Sequence, residues 1–261
     1  MHRFLRAGRA LVLALALPVV LVAAWWSWSA HSGSYYFPPL STILSTFGST
    51  WFSDRLGADV LPSVTRLVVG YLLAVVLGVG LGVLLGTNRL LRRTAEPVLE
   101  FFRAIPPPVL IPVLFLFAGI GDTAKVVVIV SGAVWPVLLN AVEGVRAVDE
   151  VLSDTSRSYG ITGWARLRHL VLPAASPQIV AGMRQALSIS IILMVISEMF
   201  ASSNGLGFAI IQFQRSFAIP DMWSGIILLG LLGFAFSLLF QLFERRSLRW
   251  YHGLRRSQRG D

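Results

Sequence analysis

The chain has 261 residues, 55% of them hydrophobic and only 13% charged, yet its formal net charge is +9. A soluble domain carries about 25% charged residues, so this balance, with a mean hydropathy of +0.72, excludes a soluble enzyme and a disordered basic tail, and argues against a nucleic-acid binder. The chain has no cysteine, which excludes disulfides, iron–sulfur clusters and thiol catalysis.

A helix needs about 20 apolar residues to cross a hydrocarbon core of roughly 30 Å. Six stretches qualify: 10–28, 61–85, 98–118, 125–145, 177–201 and 222–243. The expected fold is an all-α integral membrane protein with six transmembrane helices. The first stretch follows Arg3, Arg6 and Arg9 and could be a cleaved signal peptide. Its apolar run continues through Trp25 and Trp26, however, and bulky Trp28 stands where cleavage needs a small residue, so a retained helix is expected. Residues 31–60 then form an outer segment, where Tyr35, Tyr36, Phe37 and Trp51 read as an interfacial aromatic belt.

In the second stretch Gly70, Ala74, Gly78, Gly82 and Gly86 recur at every fourth residue, a smooth ridge for close helix packing or, alternatively, a substrate groove. The third contains Ile105-Pro106-Pro107-Pro108 and Pro112. Prolines free backbone groups that lipid cannot satisfy, so a broken helix belongs inside protein or beside a wet cavity. Pro106 and Pro107, with Arg103 and Asn140, are therefore candidates for lining a pathway, against a purely structural kink. Pro97 and Pro177 look like first-turn prolines, and Asp122 with Thr123 like a cap for the fourth stretch. Glu198 lies near the far end of the fifth. A carboxylate within a span is a functional candidate, with Lys125 or Arg215 as partner, or half of a structural ion pair.

Six crossings put both termini on one side. If that side is cytoplasmic, it carries 16 of the 22 Lys and Arg residues, among them Arg89, Arg92, Arg93, Arg146, Arg157, Arg166, Arg168, Arg245, Arg246, Arg249, Arg255, Arg256 and Arg259. This is the positive-inside asymmetry. The expected layout is a cytoplasmic N-terminus (1–9), a first transmembrane helix (10–30), an outer segment (31–60), a core (61–243) with a cytoplasmic loop at 144–176, and a basic tail (244–261). No glycine-rich phosphate loop followed by Lys-Ser or Lys-Thr is present, so this chain does not bind ATP by that motif. His2, His31, His169 and His252 are too scattered to suggest a metal site, and nothing marks a nucleophile.

The 144–176 loop is the most informative stretch. Val151, Leu152, Thr155, Ser158 and Tyr159 share one helical face, with Asp149, Glu150, Ser153, Asp154 and Arg157 away from it. Gly160 is a natural stop. Thr162 can cap a second short helix, carrying Trp164, Leu167 and Leu170, that ends by Pro173. Two amphipathic helices in such a loop suggest a docking surface, or else a loop resting on lipid headgroups.

Here the sequence resembles the permeases of bacterial ABC importers. Their loop signature sets nine residues between a Gly and an apolar run closed by Leu-Pro. In this chain Gly160 precedes Leu170, Val171, Leu172 and Pro173 at that spacing. Asp154-Thr155-Ser156 occupy the family's Glu-Ala-Ala positions, keeping the acid and losing both alanines. Arg103-Ala-Ile-Pro-Pro107, Gly119-Ile-Gly-Asp-Thr-Ala-Lys125, Pro136-Val-Leu-Leu-Asn140, Ser197-Glu-Met199 and Ala201 through Phe208 are similar to the nitrate/sulfonate/taurine-type subfamily. The resemblance implies a type I, methionine-importer-like fold, a second permease copy and an outer binding protein or lipoprotein. It also implies two ATPase subunits, which hold the ATP and Mg and dock on this loop, and a small anionic substrate. An ion-gradient-driven secondary transporter is the alternative class, and it would want paired ionisable groups near the midplane.

Overall fold

The structure, a computed structural model, describes residues 2–200 and 202–251, with side chains from residue 16 onward. The side chains of Arg3, Arg6 and Arg9, the residue Ala201, and the tail arginines Arg255, Arg256 and Arg259 lie outside the described residues. All regular structure among the described residues is helical. Helix α1 (His2–His31) leads to α2 (Leu40–Trp51), and a π-helical turn (Leu56–Val60) opens α3 (Leu61–Thr87). Then come α4 (Arg89–Ala104), α5 (Pro107–Ala118) and α6 (Asp122–Arg146). Two loop helices, α7 (Glu150–Ser158) and α8 (Gly163–Arg166), precede a second π-helical turn (Leu167–Val171) and α9 (Leu172–Phe200). The order closes with α10 (Leu206–Arg215) and α11 (Ile219–Ser247). Among the described residues, four helical stretches are long and apolar enough to cross a membrane, Leu56–Thr87, Asp122–Arg146, Gly163–Phe200 and Ile219–Ser247, and the α4–α5 pair would make a fifth.

The core is built from α3, α6 and α9. Helices α3 and α6 run parallel, with Gly70 on Ile129, Gly78 on Val137, Gly82 on Ala141 and Gly86 on Val145. A Cβ added to Gly82 would stand 2.5 Å from the Cβ of Ala141 and 2.7 Å from the Leu138 carbonyl oxygen. The glycine ridge thus lies at a helix contact, where missing side chains let backbones approach. Helix α9 crosses back along the other side of α6, where Gly144 meets Ala175 and Gly182 meets Asn140. Leu67, Ile111, Val128, Ile129, Leu193 and Met194 fill the space between.

The stretch 98–118 is not one span. Helices α4 and α5 meet at 96°, because Ile105 and Pro106, each followed by proline, take extended backbone (ψ 121° and 122°), as residues before proline do. Helix α4 begins earlier than expected, where the Asn88 side chain accepts from the Leu90 and Leu91 N–H groups. Pro97 therefore sits inside α4, and Pro177 inside α9, rather than at a helix start.

The two π-helical turns have a common cause. Leu61 N–H bonds the Leu56 carbonyl and Leu172 N–H the Leu167 carbonyl, and each of these leucines is followed by proline, Pro62 and Pro173. Proline cannot donate, and its ring crowds the carbonyl four residues back; the wider turn carries the helix past it. The second loop helix consequently does not end at Pro173 but runs on into α9. At the start of α6 the cap is Gly121, without a side-chain cap bond. The expected Asp122 cap does not form, because its carboxylate is engaged elsewhere.

Trp51 also departs from the expected aromatic belt. It is 1% exposed, packs against Phe213 with ring centroids 6.3 Å apart, and donates Nε1–H to Ser224 Oγ at 2.9 Å. Thr50 Oγ1 reaches Asp221 at 2.7 Å, so α2 is tied to the start of α11. Tyr35, Tyr36 and Phe37 remain exposed, with Tyr35 OH donating to the Phe217 carbonyl at 2.6 Å.

Candidate functional site

The loop helices are held from both ends. Asp149 caps α7, its Oδ1 accepting from Leu152 N–H at 3.1 Å. At the other end Gly160 N–H bonds the Arg157 carbonyl and Ile161 N–H the Ser156 carbonyl, at 3.0 and 2.9 Å. That pair of bonds is the Schellman stop, and it needs the left-handed backbone that Gly160 adopts at φ 70°. Thr162 occupies the cap position of α8 without a side-chain cap bond.

Helix α7 wears its apolar face outward. Ser153 and Ser156 are the buried positions. Ser156 Oγ donates to the Ile161 carbonyl at 2.9 Å, and Arg166 Nη2 donates to Ser153 Oγ at 2.8 Å. Val151 is 72% exposed, Tyr159 79% and Trp164 70%, with Leu152 also exposed. Asp154 and Thr155 lie on the open surface, and Asp154 pairs with Arg157 at 3.5 Å. Leu170 and Leu172 are half-buried and Pro173 is exposed. An exposed apolar group of this kind marks an interaction surface. Helix α8, the π turn and α9 are one continuous helical path from Gly163 to Phe200, so Trp164 stands on the same helical stretch as the core helix α9.

At the opposite end of the core lies a cluster of ionic groups. Glu198 is fully buried. Its partner is Arg66, whose Nη1 lies 2.6 Å from Oε1, not Lys125 or Arg215 as the sequence suggested. Arg215 is exposed, and Lys125 Nζ bonds Ser202 Oγ at 2.8 Å. Ser63 Oγ lies 2.8 Å from both Glu198 oxygens, and Gly207 N–H donates to Oε2 at 3.0 Å. Arg66 also donates to the Asn204 Oδ1 at 2.5 Å and binds Asp122 Oδ1 through Nη2 at 2.6 Å. Asp59 accepts from the Gly205 N–H at 3.0 Å. Gly205, at φ 114°, leaves room for the carboxylate, since a Cβ there would stand 2.5 Å from its carbon. Helices α3, α6, α9 and the turn into α10 are thereby tied at one point. Arg66 has a sequence signal after all, being the only charged residue in α3, and a lone charge in an apolar span asks for a partner.

Arg103, Pro106, Pro107 and Asn140, the candidates for lining a pathway, do not form one cluster with each other or with Glu198. Pro107 touches the α6 position of Gly132, whereas Asn140 faces Gly182, about 12 Å further along at 1.5 Å per residue. Asn140 Nδ2 donates to the Pro136 carbonyl at 2.8 Å. Arg103 is exposed and paired with Glu100 at 2.5 Å, next to exposed Pro106. Glu198 lies beyond them all, beside Arg66.

Long apolar helices around a glycine-seamed core, with an apolar surface held out on a loop, define a multi-pass membrane protein that works with a partner. The chain belongs to the family of binding-protein-dependent transport system inner membrane components, whose model matches residues 70–249. It is 27% identical over 251 residues to the taurine transport system permease protein of Escherichia coli K12, covering 94% of this chain and 91% of that protein. It is 30% identical to a putative aliphatic sulfonates transport permease protein of the same organism, covering 90% and 92%. Its fold is similar to a chain of the MetNI methionine ABC transporter in an inward-facing conformation, with TM-score 0.62, 24% identity and coverage of 72% and 94%. The chain is a permease subunit of an ABC importer.

Proposed function

We propose that this chain crosses a bacterial cytoplasmic membrane six times, with α1 as the first crossing and both termini cytoplasmic. It lines the pathway together with a second copy of itself. Two ATPase subunits dock on the 144–176 loop and carry all of the ATP and Mg; this chain needs no cofactor of its own. An outer binding protein or lipoprotein delivers the substrate, a small anion such as an aliphatic sulfonate, taurine or nitrate. The excess of basic residues in the loops assigned to the cytoplasm supports the orientation. The names of the relatives support the substrate class.

The observation that carries the reading is the outward apolar face of α7 and Trp164, on a loop continuous with α9. Gly160→Glu tests it. A side chain at φ 70° costs about 1–2 kcal/mol and disturbs the stop that separates the two loop helices. The expected result is normal membrane insertion with loss of both ATPase docking in pull-down and ATP-driven uptake. Unchanged docking and uptake would refute the assignment of the loop.

A further inference from the structure

We propose that Arg66 and Lys125 form a binding site for a small oxyanion, occupied in this state by the carboxylate of Asp122. The proposal rests on the reading of the chain as an anion importer and adds to it a place where the anion is held. Three sources of positive charge converge there. The Arg66 guanidinium is 3% exposed, the Lys125 side chain is buried with it, and α6 starts at Asp122 behind a glycine with no side chain to neutralise the helix end. Two carboxylates face these cations, and they are unlike. Glu198 is sealed beneath them, fixed by Ser63, Gly207 and Arg66. Asp122 is 71% exposed and offers a single oxygen to both cations, 2.6 Å from Arg66 Nη2 and 3.8 Å from Lys125 Nζ. The nearby Arg55 and Asp59 pair with each other at 3.2 Å.

Glu198 is therefore a fixed counter-charge and Asp122 a removable one. A cavity of about 570 Å³ opens beside it, lined by Thr65, Arg66, Asp122 and Thr123 with the apolar side chains of Leu61 and Val126 among its walls. A planar guanidinium offers paired N–H groups to sulfonate, carboxylate or phosphate oxygens, and the hydroxyl and apolar walls suit a short polar or alkyl chain. When such an anion enters, Asp122 swings into solvent, so the buried cations are never left uncompensated, which would be costly. The attached carboxylate competes at high effective concentration, so affinity in the unaltered chain is weak and removing the carboxylate strengthens it.

The test uses the assembled permease–ATPase complex in nanodiscs of neutral phosphatidylcholine, with radiolabelled methanesulfonate as the probe. Asp122→Asn is expected to bind the probe at least about tenfold more tightly than the unaltered complex, the internal competitor being gone. Adding Lys125→Gln to it abolishes the gain, and Asp122→Glu, which keeps the charge, shows none. If Asp122→Asn does not assemble, Asp122→Ser makes the same comparison. No gain, or a gain that survives Lys125→Gln, overturns the proposal. Repeating the measurement in phosphatidylglycerol nanodiscs separates two sources of oxyanion: loss of methanesulfonate binding assigns the site to a lipid headgroup, and unchanged binding assigns it to a solute. ATP-driven uptake of a neutral or cationic solute would refute the substrate class while leaving the tenfold gain standing. Uptake of an anion without the gain would refute this site alone.

Discussion

Glu198 and Arg66 show what a buried charge requires. Each makes several hydrogen bonds to the other or to fixed groups; Glu198 is sealed from water, and Arg66 is 3% exposed at the wall of the cavity. Removing one partner of such a pair strands the other, at a cost of about 3–5 kcal/mol. Glu198→Gln should accordingly lower the heat-inactivation midpoint of the purified complex sharply. The double variant Arg66→Gln with Glu198→Gln should lose less than the two single losses combined, because contacting residues are not additive. Additive losses would mean that the two side chains do not act as a pair. The pairing was half legible in the sequence. Glu198 stands out as an acid in an apolar run and Arg66 as the sole charge of α3, but they lie 132 positions apart, and no local periodicity links residues so distant. Of the two candidates the sequence offers, Lys125 lies in the right cluster but bonds Ser202, and Arg215 is exposed.

Elements were read better than their joints. The apolar runs of α3, α6, α9 and α11 mark themselves, since each must satisfy its backbone internally in lipid. What the runs could not show was where a proline is absorbed. Pro62 and Pro173 pass through π-helical turns while Ile105 and Pro106 break the path altogether, a difference set by three consecutive prolines against one. Helix α4 does not stand out in the sequence as a separate element because its Leu and Phe residues are interspersed with Arg and Glu, which lowers the average hydropathy below that of a span. The glycine ridge makes a sharp prediction at this scale. Gly82→Leu drives a side chain into Ala141 and the Leu138 carbonyl and should abolish recovery of monodisperse protein. Gly80→Leu, two residues away with nothing within 4 Å, should leave recovery unchanged. Equal behaviour of the two would show that the seam between α3 and α6 is not what holds the core. On the loop, Val151→Asp should keep the fold and lose ATPase docking in pull-down, whereas Ser156→Leu, at a buried position, should damage the loop itself.

For the whole molecule, the opening paradox of few charges and a large positive excess resolves into placement. Basic residues cluster at the ends and loops, and the few charges taken inside compensate one another. The sequence of this chain holds no glycine-rich phosphate loop followed by Lys-Ser or Lys-Thr. Uptake in reconstituted vesicles should therefore fall to background when the ATPase is left out, and full uptake without it would refute the importer reading. The bend at Ile105 has a further consequence. Helix α5 has 12 residues, about 18 Å of length against a hydrocarbon core of roughly 30 Å. Beside it, the membrane's electrical insulation cannot be left to acyl chains; it must come from side chains stacked beyond the ends of a short helix. Substitutions that loosen that packing should therefore raise passive proton leak in vesicles reconstituted with the permease.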